Sequence, residues 1–423
     1  MLGAILLLGL TLRVLSALYS TGFDHPNEVY RILEPIAFFQ GYSTRLPWEW
    51  TQGLLSTLPA RAHFEVLRAA SGVGIESAHA QAIFLRVIYG VLGVLPIAAS
   101  FKLVRWARGS EKIALFTALF VAVWPEFIYR SVRLMDYSLE ASLLAGALLL
   151  IPFGAWASGF ILGLLFFVRF QSGLYFLAIA ILLAASKKNR KLVFFILGYG
   201  LTILIAALYE ARGFHGFLSP FFHYIHFNWT ENGAAKFYGS QPWHRYLSEC
   251  AKAYGIFPFV LFVGLFLSRK MDWKLGFLFL FPFLAYSLIS HKEGRFIFGF
   301  AWLLVPAAFL ALSRIQLKKT AKWALSAIFL VGFVFQTDRI SRRFLVRAKL
   351  VSEFERVGET LQKDFSNHPW PLVVETDPDF SPGAFFLRYK GPLCYIKCER
   401  TPPNFLLLRR KPRGDWELSL QRR

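Results

Sequence analysis

The chain has 423 residues, 56% of them hydrophobic and only 17% charged, where soluble proteins run at roughly 45–50% and 25%. Its 45 phenylalanines and mean hydropathy of +0.46 exclude a string of soluble domains and indicate a multi-pass membrane protein. A formal charge of +21 then reads as basic loops and attraction to lipid headgroups, with no nucleic-acid partner.

Apolar runs approaching the roughly 20 residues of a spanning helix fall near 1–20, 82–101, 113–128, 137–152, 155–168, 172–186, 192–209, 254–268, 275–290, 296–312 and 321–336. They predict an all-α membrane domain over residues 1–336 with about 11 spans, the shortest between 137 and 186. The first run lacks a basic leader and reads as a signal anchor rather than a cleaved peptide. Alternate loops are basic: Lys102, Arg105, Arg108 and Lys112; Lys187, Lys188, Arg190 and Lys191; Arg269, Lys270 and Lys274; Arg314, Lys318, Lys319 and Lys322. All share one parity, which places them in the cytoplasm and puts 21–80, 129–136, 210–250, 291–295 and the tail outside. The tail, 337–423, is expected to be a small α/β domain. An amphipathic stretch over 342–363 precedes strand-like runs at Leu372–Glu375, 384–389, 394–398 and 405–408, separated by Pro-containing turns. Three cysteines make no disulfide framework, and no second Cys/His pair joins Cys394 and Cys398. No metal or cofactor is expected.

Polar groups gather in the outer segments rather than at helix centres, where a charge costs at least about 2.5–3.5 kcal/mol. That pattern favours an enzyme at the membrane surface over a transporter. The first outer segment carries Asp24-His25-Pro26-Asn27-Glu28 and then Glu34-Pro35. Pro26 suits a first helical turn, and an acidic group there is favoured by the helix dipole and positioned for general-base work. A capped interfacial helix with solvated charges is the plainer account. Glu34 follows nearly two turns on, close to the face of Glu28. Trp48-Glu49-Trp50 is either an interfacial anchor or a platform for a sugar ring. Arg133 and Glu140, seven apart, are expected to share one helix face, as an ion pair or as substrate contacts. Further on come Tyr238-Gly239 with Pro242-Trp243 and Tyr246, then His291-Lys292-Glu293-Gly294-Arg295-Phe296. Four ionisable groups in five residues at a membrane boundary call for a charged partner, and a lipid-linked phosphate fits Lys and Arg.

The last segment resembles the HKExRF signature of glycosyltransferase family 22, the lipid-linked-sugar-dependent mannosyltransferases, and most of all its GPI-mannosyltransferase-like subgroup. The other elements fall in the family's order: His25-Pro26-Asn27-Glu28 with Glu34 is similar to its HPDE…E, Trp48-Glu49-Trp50 to its TWEW, Arg133 through Glu140 to its RxxNSxE, and Tyr238-Gly239 with Trp243 and Tyr246 to its YGxxPWxxY. The resemblance implies a GT-C fold and inverting transfer of a sugar, mannose in that family, from a polyprenyl or dolichyl phosphate to a glycolipid or glycan. By that resemblance Glu28 or Asp24 is the base, and Lys292 and Arg295 clamp the phosphate. His25, Asn27, Glu34, Trp48, Glu49, Trp50, Arg133, Glu140, Tyr238, Gly239, Trp243, His291 and Glu293 would line the substrates. Two departures stand out. Asn27 replaces the family's Asp, and Leu54-Leu55-Ser56 stands where an Arg often follows TWEW. The short chain fits a bacterial member in the inner membrane better than a eukaryotic one in the endoplasmic reticulum. Another GT-C transferase, of arabinosyl or aminoarabinose type, is the near alternative, and a saccharide flippase the distant one.

Overall fold

The computed structural model describes residues 1–42, 46–213, 216–255, 273–315, 318–344, 348–365, 372–375, 384–388, 390, 393–395, 404–410 and 416–422. Helices occupy ten of the eleven apolar runs; the run near 254–268 lies almost wholly outside the described residues. Among the described residues four helices are long and apolar enough to cross a bilayer: Leu2–Tyr19, Ala78–Trp106, Asn189–Ala211 and Lys319–Ser341. Two bent pairs would bring the number to six: Glu111–Val123 with Pro125–Ser131, at 59°, and Arg295–Ala301 with Leu304–Ser313, at 52°. Asp136–Leu150, Ala155–Val168, Phe170–Ala185 and Trp273–Leu288 are shorter. The chain divides into two compact units, one of Met1–Ser16 with Val87–Ser341 and one of Ala17–Arg86 with Arg342–Arg423.

In the first unit, the bend at Trp124 has an identifiable chemistry. Pro125 forces Trp124 into an extended conformation, at φ −62° and ψ 124°. It also has no N–H to return to the Val121 carbonyl. Arg13 supplies the missing donors: its guanidinium reaches Val121 O at 3.0 Å and Ala122 O at 3.1 Å. The helix end also attracts a cation through its dipole. Arg13 is buried inside the first apolar helix, which corrects the expectation of charge-free helix centres.

Helices Ala155–Val168 and Asn189–Ala211 meet backbone to backbone. A Cβ on Gly159 would lie 2.0 Å from Phe195 O, and one on Gly198 would lie 2.0 Å from Trp156 O. Small residues allow this approach in an environment without a hydrophobic driving force between helices. Thr202 Oγ1 then reaches across to Phe160 O at 3.2 Å.

The second unit holds a four-stranded sheet of β1 (Leu372–Glu375), β2 (Leu393–Tyr395), β3 (Asn404–Arg410) and β4 (Trp416–Arg422), in the order β2-β1-β3-β4. β1 runs parallel to β2 and β3, and β3–β4 is antiparallel with Leu406 opposite Leu420 and Leu408 opposite Leu418. The expected strand at 384–389 is instead a helical turn, Ala384–Leu387. Phe385, Phe386 and Leu387 are buried in succession, a burial that strand alternation does not produce. β4 alternates Trp416, Leu418 and Leu420 with Glu417, Ser419 and Gln421, a strand signal passed over in the sequence. Helix Ala348–Phe365 forms over the amphipathic stretch.

Gly198→Leu should break the backbone contact and cost about 1–3 kcal/mol or more, because backbone cannot yield as a side chain can. The measurement is the unfolding temperature in detergent, with Gly200→Leu as control, since nothing lies within 4 Å of a Cβ there.

Candidate functional site

In the second unit the first motif folds as a cap. His25 is extended before the short helix Pro26–Glu28, and its Nδ1 accepts from Asn27 N at 3.1 Å. Glu28 turns back, its Oε1 accepting from Asp24 N at 2.8 Å and His25 N at 3.3 Å. This is a capping box built with histidine in place of Ser or Thr. Glu28 is 1% exposed. The Asp24 side chain is 16% exposed and meets Arg343 Nη2 at 3.1 Å. A π-helical turn, Val29–Leu33, follows, a widening that is common at functional sites. Beyond it Glu34 is buried and accepts from Phe385 N at 3.3 Å. Glu28 and Glu34 therefore serve different partners. Trp48–Thr51 makes one helical turn, with Trp50 buried beside Phe39. Arg31 Nη2 bonds Glu49 Oε1 at 2.8 Å, tying this turn to the first motif.

In the first unit the last two motifs interlock. Gln241 N donates to Ser290 O at 2.9 Å, and Lys292 Nζ donates to Gln241 O at 3.0 Å and to Ile289 O. His291 Nδ1 lies 3.0 Å from Gly239 O and Nε2 lies 3.0 Å from Glu293 Oε1. Both partners are acceptors, so a doubly protonated ring satisfies both contacts and a neutral ring only one. Arg295 grips Glu293 with Nε at 2.7 Å and Nη2 at 2.8 Å. Two basic side chains thus meet one carboxylate, while Lys292 is held beside them by backbone carbonyls. Lys292 is buried, and desolvation pushes its ammonium below the usual lysine range. An arriving phosphate would reverse that shift. Gly239 sits at φ +81°, where glycine is favoured. Gly294 leaves room for Glu249, whose carboxylate oxygen would lie 2.6 Å from a Cβ. Tyr238 and Trp243 are exposed and available to a sugar or to headgroups.

Arg133 and Glu140 do not share a helix face. Helix Pro125–Ser131 ends before Arg133 and the next begins at Asp136. Ser138 Oγ holds that break, within 2.7 Å of Arg130 O and 2.8 Å of Arg133 O. The Arg133 guanidinium lies over the Tyr129 ring at 5.2 Å. Glu140 pairs instead with Arg169 Nη1 at 2.5 Å and accepts from Tyr175. Arg169 went unnoticed in the sequence, although it is the sole charge between residues 155 and 186. A lone charge in so apolar a stretch is itself a signal. Among the described residues no group of three or more His, Cys, Asp or Glu is arranged to hold a metal.

The family model described as the Alg9-like mannosyltransferase family matches residues 4–387. GPI mannosyltransferase 3 of Drosophila melanogaster is 26% identical, covering 78% of this chain and 60% of its own length. The Yarrowia lipolytica protein of the same name is 28% identical, over 76% and 64%. Human GPI alpha-1,2-mannosyltransferase 3 is 26% identical, over 77% and 60%. The chain thus spans 60–64% of the length of these relatives. Among solved structures, ArnT from Cupriavidus metallidurans bound to undecaprenyl phosphate matches with a TM-score of 0.66 at 13% identity, covering 96% of this chain and 92% of that one. The fold is therefore the GT-C fold.

Arg169→Met should leave Glu140 buried beside Tyr175 without its cation, at a cost of about 3–5 kcal/mol. Adding Glu140→Gln should recover part of the loss. Unfolding temperatures of the single and double variants in detergent check this, and equal values would remove the pair from the account.

Proposed function

The chain belongs to the Alg9-like mannosyltransferase family, and from that membership we propose that it is an inverting glycosyltransferase working at the outer face of its membrane. The donor is a polyprenyl or dolichyl phosphate sugar, with mannose as the sugar, and the acceptor is a hydroxyl of a glycolipid or glycan. The observation that carries this reading is the segment in which His291 and Arg295 meet Glu293 and Lys292 bonds the Gln241 carbonyl, so that it is held to the loop of Tyr238 and Trp243. It offers a lipid-linked phosphate more positive than negative charge, beside exposed aromatic rings suited to sugar. The undecaprenyl phosphate bound by the ArnT neighbour supports a polyprenyl carrier.

The acceptor oxygen attacks the anomeric carbon, the bond from that carbon to the phosphate oxygen breaks, and the acceptor proton passes to a carboxylate. Asp24 is the better placed base. It keeps some exposure, whereas Glu28 is buried and caps its own helix. Glu28 then holds Asp24 in place through the Asp24 N–H. Asn27 occupies the family's Asp position, where its neutral amide side chain takes no proton, and its backbone N–H donates to His25. Lys292 and Arg295 stabilise the departing phosphate. His25, Trp48, Glu49, Trp50, Trp243 and His291 line sugar and acceptor. Arg133 and Glu140 act through packing within the first unit, and Glu34 through its bond to the Phe385 backbone within the second.

Purified protein given polyprenyl phosphate mannose and a glycolipid acceptor should transfer the sugar. Asp24→Asn should lower kcat by about 10²–10⁴-fold while donor binding holds. Glu28→Gln should cost less. Near-normal turnover in both would move the base elsewhere. Arg295→Ala should weaken donor use by about tenfold or more, one charge-assisted bond being worth about 1.5–3 kcal/mol. Unchanged donor kinetics would return this loop to a headgroup anchor. A cysteine at Ser240 should be labelled only from outside.

A further inference from the structure

A cavity of about 200 Å³ opens in the first unit at the helix ends next to the basic loops. Its walls are apolar, with Leu103, Leu148, Ile179 and Leu278 among them. They come from the last turns of Leu95–Trp106, Asp136–Leu150 and Gly173–Ala185 and the first turns of Trp273–Leu288. Along that last helix, Leu275 to Leu288 measures about 20 Å at 1.5 Å per residue, so the cavity lies far from the loop of His291. The mouth differs in chemistry from the walls. Lys188, Lys274 and Trp106 line it, and Lys188 Nζ lies 5.9 Å from the Trp106 ring centre. Lys188 is presented by a tight turn in which Lys187 adopts φ +54°, a left-handed conformation normally left to glycine.

We propose that this cavity is a binding site for an anionic phospholipid, with part of one acyl chain between the four helices and the phosphate on Lys188 and Lys274. The volume is below the roughly 300–1,000 Å³ of pockets that take drug-sized molecules, which suits a chain segment and not a ring system. Two lysines over an apolar slot exclude a neutral ligand as the best fit and select a negative headgroup. Basic pockets between spanning helices are the usual place for anionic headgroups. Tryptophan stabilises the headgroup level, and here it also braces Lys188 by a cation–π contact. The site would not take part in catalysis; it would clamp the ends of four helices by bridging them.

The test uses the full chain in mild detergent, stripped of lipid and titrated with phosphatidylglycerol or phosphatidylcholine, with retained lipid counted by native mass spectrometry. Phosphatidylglycerol should be retained about tenfold more strongly than phosphatidylcholine. The double variant Lys188→Gln/Lys274→Gln should lose about tenfold or more of that affinity, two charges near a headgroup accounting for it. Leu182→Trp, on the cavity wall, should abolish retention with both lysines intact, while monodisperse elution shows that the variants are folded. Equal retention of the two lipids, or unchanged retention in either variant, would overturn the proposal. So would tighter retention of undecaprenyl phosphate with the same sensitivity to both variants, which would make the site one for the sugar carrier.

Discussion

The middle of the first unit is organised around one buried ion pair, Arg169–Glu140. Glu140 lies at zero exposure against Arg169 and Tyr175, and unpaired it would cost several kcal/mol in so apolar a setting. The pair draws together helix Asp136–Leu150, the break before Phe170 and the helix that follows. It also sets the next layer. A Cβ on Gly299 would stand 2.1 Å from Glu140 Cδ, so only glycine lets helix Arg295–Ala301 pass over the carboxylate. That helix begins inside the HKEGRF segment. The cations proposed to meet phosphate are therefore aimed by a pair just over one helical turn further along.

The parts of the architecture written in runs and short spacings were legible. Apolar runs became helices, prolines stood in first turns, and the fold class follows from the family resemblance that the motifs carry. The parts written in long-range pairing were not. Glu34 bonds the backbone of Phe385 and Asp24 meets Arg343, partners more than 300 positions away. A local reading of 22–35 could name the carboxylates but not what holds them. Residues 337–423 likewise read as a separate tail, whereas Arg342–Arg423 falls in one compact unit with Ala17–Arg86. The Arg133–Glu140 pairing failed for a local reason: seven residues imply a shared face only if the helix is continuous, and Val132 ends it.

Two of the motif-bearing outer segments, 21–80 and 210–250, each contain a π-helical turn, Val29–Leu33 and His226–Thr230. Each sacrifices regular pairing and shifts the phase of the residues after it. In the first loop this separates the duties of Glu28 and Glu34, one closing a helix end and the other bonding backbone from the far end of the chain. The motif's acidic residues are thus divided between Glu28 and Glu34, which bond backbone, and Asp24, which keeps part of its surface.

Arg13 carries a consequence for how the protein is made. Its carbonyl partners lie 108 and 109 residues downstream, so the guanidinium enters the membrane machinery long before they exist. At about 5–20 residues per second, synthesis leaves it waiting on the order of 5–20 seconds. During that interval the first helix cannot settle at its final depth, because the charge must stay near water or inside the translocation channel. Final seating of the first helix is thereby tied to arrival of the third apolar run, and an early, independent anchoring gives way to assembly as a group.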